Sequence, residues 1–268
     1  MSANMSVNTN TLLVPAPDRI DWLRPLRILL KETRYELARL LRTRTYSLSV
    51  IGFPVMFYLL FGMANRGQAA ARYIIAGYAC MGVVSACLFG IGLALAMERA
   101  QGWLELKRAS PMPRLAYLGA KVVSCAAFGL IIAMVLVLLG STLGGVTVTG
   151  AQAAALAGVV LAGAIPFTAM GFLIAYLVSP NAGPAVINLI YLPLSFASGF
   201  WMPVRALPHW LQAVAPALPT YHLAQIALAI FGFASPAGMA LHWAVLVGFT
   251  VLMLAAAWIT FLRSEAKA

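Results

Sequence analysis

Charge is what this 268-residue chain has least of: 9% of its residues are Asp, Glu, Lys or Arg, 62% are hydrophobic, and the mean hydropathy is +0.91. Soluble domains carry about 25% charged residues, so the composition excludes that class and indicates an integral membrane protein. From Val122 to Val204 there is no charged residue at all. A Gly-x-x-x-x-Gly-Lys-Ser/Thr phosphate loop is also missing, so the chain is not expected to hydrolyse ATP by itself. Neither His-Glu-x-x-His nor a nucleophile elbow occurs, and no pair of carboxylates falls within an apolar run, which argues against an intramembrane enzyme. The three cysteines, Cys80, Cys87 and Cys125, sit in apolar runs without metal-ligand spacing and read as small buried hydrophobes. Met1 to Asp18 lacks the apolar core of a cleavable signal. Residues 1–20 are expected to form a disordered cytoplasmic tail.

Long apolar runs are what the chain does have. A bilayer core of about 30 Å needs roughly 20 residues of helix, and stretches suited to cross it occur at Tyr46–Ala64, Tyr73–Met97, Ala116–Gly140, Ala151–Val178, Ala185–Phe200 and Gly238–Leu262. The expected fold is therefore an all-α integral membrane protein with a six-span transmembrane domain over 46–262 and a short tail, 263–268. An even number of spans puts both termini on one side. Fifteen Lys and Arg fall on that side and three, Arg66, Arg72 and Arg205, on the other. The positive-inside rule then places both termini and the loop after the second span in the cytoplasm. The same rule accounts for the net charge of +11, and no nucleic-acid partner is expected.

Residues 21–45 are amphipathic rather than spanning. Trp22, Leu23, Leu26, Leu29, Leu30, Thr33, Leu37, Leu40 and Leu41 share one helical face, and Arg24, Arg27, Lys31, Arg34, Arg39 and Arg42 point away. Such a helix lies at the membrane surface, with its leucines at the acyl boundary and its arginines toward anionic lipid headgroups or a protein partner. Toward the other end, 201–232 carries Pro203, Pro208, Pro216 and Pro219 among pieces too short to cross. These are expected as short extracytoplasmic re-entrant helices before the last span, with Trp201, Trp210 and Tyr221 at headgroup level. His242, near the outer end of the last span, reads as a hydrogen-bonded anchor rather than a proton relay. The spans lack the midplane Asp, Glu or His that ion-coupled carriers place there. Any energy must come from outside the chain.

The densest charge in the body of the chain is Met97 to Lys121, which holds Glu98, Arg99, Glu105, Lys107, Arg108, Arg114 and Lys121. A segment this polar between two spans is expected to lie in water. Trp103, Leu104 and Leu106 within it need a partner or the lipid surface.

The order of these features, with Glu98-Arg99-x-x-Gly102-x-Leu104-Glu105-x-x-Arg108-Ala109-Ser110-Pro111 after the second span and Leu192-Pro193-x-x-Phe196-x-Ser198-Gly199-x-x-x-Pro203 after the fifth, resembles the type-2 ABC transporter permease subunit, a class of drug, antibiotic and lipid or polysaccharide exporters. The resemblance covers nearly all of the chain after Leu23. It implies a permease that dimerises, with itself or a related permease, on two copies of a separate ABC ATPase subunit. ATP and Mg would be bound by that subunit and no cofactor by this chain. It further implies a cytoplasmic coupling helix within 98–114, with Glu98, Arg99, Trp103, Leu104, Glu105 and Leu106 as the ATPase-coupling residues. The amphipathic helix becomes a connecting helix, from which Arg39 or Arg42 is expected to pair with Glu98 so that the two helices move as one lever. The pathway would run between protomers, with Phe53, Phe57, Tyr78, Met81, Asn188, Tyr191 and Phe196 as candidate lining. That lining suits a hydrophobic or amphipathic substrate. A lipid-linked glycan is the alternative cargo, and a stand-alone membrane assembly or scaffold protein is the rival from another class.

Overall fold

The computed structural model describes residues 24–62, 67–103 and 114–265, and among them it is all helical. We number the helices α1 Arg24–Arg42, α2 Arg44–Gly62, α3 Gln68–Ala100, α4 Arg114–Thr142, α5 Gly150–Leu177, α6 Gly183–Ala197, α7 His209–Val214, α8 Pro219–Ile230 and α9 Met239–Glu265. Short 3-10 turns, Val204–Ala206 and Ala215–Ala217, flank α7. Five helices, α2, α3, α4, α5 and α9, are long and apolar enough to cross a membrane. The expected fifth span is shorter than the others. At 15 residues α6 is about 22 Å long at 1.5 Å per residue, below the thickness of a bilayer core. The pieces that follow it are bent by 91° between His209–Ala217 and Pro219–Ile230.

The layout follows from where small and large side chains fall. In α3, 78% of the most apolar window is buried, against 11% in α9, so α3 is the central post and α9 an outer one. α4, α5 and α8 pack around α3, α9 leans on α5, and α1 lies against α4. Glycines on α3 allow the close approaches. A Cβ at Gly77 would sit 2.2 Å from the Phe200 carbonyl oxygen, and one at Gly82 would sit 2.6 Å from Ile132. The turn after α6 is thereby pressed onto α3, with Gly199 at φ +84° and its carbonyl accepting a 2.6 Å hydrogen bond from the Tyr73 hydroxyl.

Helix ends are set locally. α5 begins with a capping box in which Thr149 and Gln152 exchange side-chain and backbone hydrogen bonds. α3 carries a π-helical segment at Leu88–Leu93, then continues as α-helix through Glu98 and Arg99 and stops at Gly102, whose φ is +73°. Glu98 and Arg99 are thus helical residues rather than loop residues.

Candidate functional site

At the Ala100 end of α3, four charges meet at a crossing of three helices, three of them buried and Arg39 open to solvent on one side. Glu36 and Arg39 come from α1, Glu98 from α3 and Lys121 from α4. Lys121 is 1% exposed, and its Nζ lies 2.9 Å from Glu36 Oε1 and 2.9 Å from Glu98 Oε1. Arg39 closes the ring, with Nη2 at 2.7 Å from Glu36 Oε1 and Nη1 at 2.8 Å from Glu98 Oε1. The Tyr117 hydroxyl donates to the second Glu98 oxygen. Two acids and two bases cancel, which is the condition for keeping ions out of water. Burial works against the Arg39 charge, but Glu36 and then Glu98 outweigh it and hold the guanidinium above its usual pKa. Displacing α1 therefore pulls on α3 and α4 through charge-assisted bonds.

For Glu98 and Lys121 the expectation of a watery setting is corrected here, because, while Arg99, Gln101 and Trp103 are exposed, Glu98 is 7% exposed and Lys121 less. Their opposite charges satisfy each other inside the protein, with Glu36 as the partner that sequence reading passed over. A signal for Glu36 existed. At 100° per residue it borders the stripe of α1 that holds Leu29, Leu40, Thr33 and Leu37, an acid at the edge of an apolar face. Leu37 and Leu40 pack on the core, whereas Leu26, Leu30 and Leu41 face outward.

Of the arginines expected opposite Glu98, the structure brings Arg39 to it and leaves Arg42 exposed. Arg99 turns the other way. Its Nη1 donates to the Ala175 carbonyl at 2.9 Å and its guanidinium lies 5.4 Å from the Tyr176 ring centre, which satisfies an open carbonyl at the end of α5. Trp103 is 52% exposed, just past Gly102. Leu104, Glu105 and Leu106 lie outside the described residues.

Toward the opposite end, an open cleft of about 400 Å³ is lined by Leu192, Pro193, Phe196 and Trp201. Trp201 joins an aromatic cluster. Its ring lies 4.6 Å from Phe57, 6.1 Å from Phe53 and 6.1 Å from Tyr78, in edge-on contacts. Its indole N–H donates to Ser195 Oγ at 3.2 Å, so its polar atom is satisfied inside the protein. Phe53, Phe57 and Tyr78 are thus gathered around Trp201, which lines the cleft together with Phe196. Asn188 is exposed on α6, away from these rings in the chain. Met81 and Tyr191 lie in the core, where the Tyr191 hydroxyl donates to the Met81 carbonyl.

Comparison with known proteins bears on the whole assembly. A family model described as "ABC-2 type transporter" matches residues 32–232. A protein of Bacillus subtilis (strain 168) named "Putative transport permease YvfS" is 25% identical over 203 residues, covering 74% of this chain and 82% of the relative. The matched region begins within α1 and ends after α8, and so contains both the charged crossing and the aromatic cleft.

Proposed function

The chain belongs to the ABC-2 type transporter family, and from its place there as the permease subunit of an ABC transporter, served by an ABC ATPase, we propose that it exports a hydrophobic or amphipathic substrate by alternating access. The stand-alone scaffold reading lapses with that membership. In the proposed cycle the permease sits in the cytoplasmic membrane with both termini inside, as a homodimer on two ATPase copies. ATP closes the ATPases, the segment from Glu98 toward Arg114 is pushed, and the four-charge crossing carries the movement into α1, α3 and α4 together. Glu98 and Arg39 act as positioning residues, and Trp103 with Leu104 and Leu106 supplies the apolar contact to the motor. Two conformations are enough, provided that ATP and substrate each favour a different one.

One observation carries the substrate class. The cleft beside Trp201 is lined by apolar and aromatic side chains, and no charged residue occurs from Val122 to Val204. A charged solute entering it would lose hydration without a counter-ion, whereas an aliphatic or aromatic group would find rings to pack against. The test is ATP hydrolysis by permease and ATPase reconstituted in lipid vesicles, titrated with amphipathic lipids and drug-like compounds. Stimulation by such compounds, reduced at least tenfold in apparent affinity by Trp201→Ala, is the expected result. Stimulation by a lipid-linked glycan alone, or indifference to Trp201→Ala, overturns this assignment.

A further inference from the structure

Two of the chain's three histidines meet at the end of the bundle opposite the charged crossing. Nδ1 of His222, on α8, is 2.7 Å from Nδ1 of His242, on α9, and the ring centres are 5.0 Å apart. The other nitrogen of His222, Nε2, is 2.9 Å from the Pro216 carbonyl oxygen. These contacts determine the protons. A carbonyl oxygen can only accept, so His222 Nε2 carries the hydrogen. A neutral imidazole has one N–H, so His222 Nδ1 presents a lone pair and His242 must donate from its own Nδ1. His242 Nε2 is then an unprotonated nitrogen on a half-buried ring.

The pair can take one more proton without rearrangement. It goes to His242 Nε2, and the Nδ1–H to Nδ1 bond becomes charge-assisted and stronger. A second proton has only His222 Nδ1 left, whose lone pair is already the acceptor. Two N–H groups would then face each other at 2.7 Å on two cationic rings, one of them 4% exposed. The contact must break.

We propose that His222 and His242 form a proton-operated clasp between α8 and α9, closed with no added proton or one and opened by the second. Among the described residues no carboxylate stands beside it that would make the double charge tolerable. The described acids, Glu32, Glu36, Glu98 and Glu265, lie on α1, at the far end of α3 or at the last residue of α9. Tyr221 approaches both rings by edge, at 5.5 and 6.2 Å between ring centres. From α3, Cys80 Sγ faces the Leu223 carbonyl, and from the turn after α6, Ser198 Oγ pairs with Thr220 Oγ1. Of the other ionisable groups described near this end, Arg72 is held by Thr147, while Arg205 and His209 are exposed. The Ser198–Thr220 bond gives the clasp its reach, because it ties the start of α8 to the turn carrying Gly199, Phe200 and Trp201. Release of α8 from α9 is passed to the mouth of the aromatic cleft.

The test uses the full chain in phosphatidylcholine vesicles, labelled with nitrogen-15 on histidine and followed by solid-state NMR from pH 8 to pH 4. Two protonation steps are expected for the pair, the second proton binding at least tenfold more weakly than the first. Between the steps a contact from Nδ1 to Nδ1 should be present, and His209→Gln should remove only the unrelated third signal. His242→Gln should reduce His222 to a single step. Spin labels on Gln225→Cys of α8, half-buried, and Leu241→Cys of α9, exposed in the parent chain, should move apart only across the second step. Independent titration of the two rings in the wild-type protein, or a label distance indifferent to the second step, overturns the clasp. The wild-type titration decides the matter even where a variant does not fold.

Discussion

Replacing Lys121 by methionine keeps most of the apolar stem, one atom shorter, and removes the ammonium with its charge and N–H donors, which makes it the sharpest test of the buried crossing. Lys121 is 1% exposed and sits 2.9 Å from a carboxylate oxygen of both Glu36 and Glu98. Without it, Arg39, whose side chain is 44% exposed, is the one cation among the described residues left to both acids. Removing one partner of a buried ion pair costs about 3–5 kcal/mol, most of it the penalty for the charge left behind. We predict a loss of that order for Lys121→Met, which on the scaling of soluble domains is roughly 10 °C in apparent melting midpoint. The protein carries its own reporter: Cys80, Cys87 and Cys125 are free and buried, so a thiol-reactive fluorophore reads their exposure on heating in detergent. Lys121→Met/Glu36→Gln should recover more than half of the loss, because it restores neutrality with Arg39 on Glu98. A shift under about 1 kcal/mol for Lys121→Met, the size of a surface pair, or no recovery in the double variant, would refute the reasoning.

Glu98→Gln removes the carboxylate shared by Arg39 and Lys121 while keeping a side chain of the same shape. Reconstituted vesicles should retain at least half of their ATP hydrolysis and lose tenfold or more of their export, and unchanged export would rule out the lever. Gly77→Ala puts a methyl 2.2 Å from the Phe200 carbonyl oxygen, and overpacking of this kind costs about 1–3 kcal/mol; the cysteine-exposure melt should fall accordingly, and an unshifted melt would mean that the turn after α6 is not held against α3. Trp103→Cys, placed on an exposed position, should form a crosslink to the ATPase subunit in the assembled transporter. Its labelling by a membrane-soluble quencher instead would assign Trp103 to the lipid surface.

Several features of the site were legible residue by residue. The apolar runs could be read because span length answers to bilayer thickness, a local property of composition. Gly102 could be read as part of a motif, and the structure supplies its reason, a helix stop at positive φ. Arg39 was one of two arginines on a stripe that faced Glu98, and only packing chose between them. Glu36 and Lys121 were harder. Glu36 borders an apolar helix face, Lys121 lies in an apolar run, and their partnership spans 85 positions of chain. The partners of Trp201 could not be read from its place beside prolines near a span end, because they depend on Gly77 and Gly199 bringing the turn close to α3 and on Ser195 taking the indole hydrogen. His242 read as a lone anchor for want of any sign that His222 would lie beside it.

The amino-acid sequence by itself determined that this is a multi-pass membrane protein, because hydropathy and span length are properties of contiguous residues. Only the tertiary structure decided which charges neutralise one another, which rings wall the cleft and which histidines share a proton. Those pairings depend on how each helix is rotated and tilted against the next. Such angles are set by close packing at a few glycines and bulky side chains, and no periodicity within one helix records them.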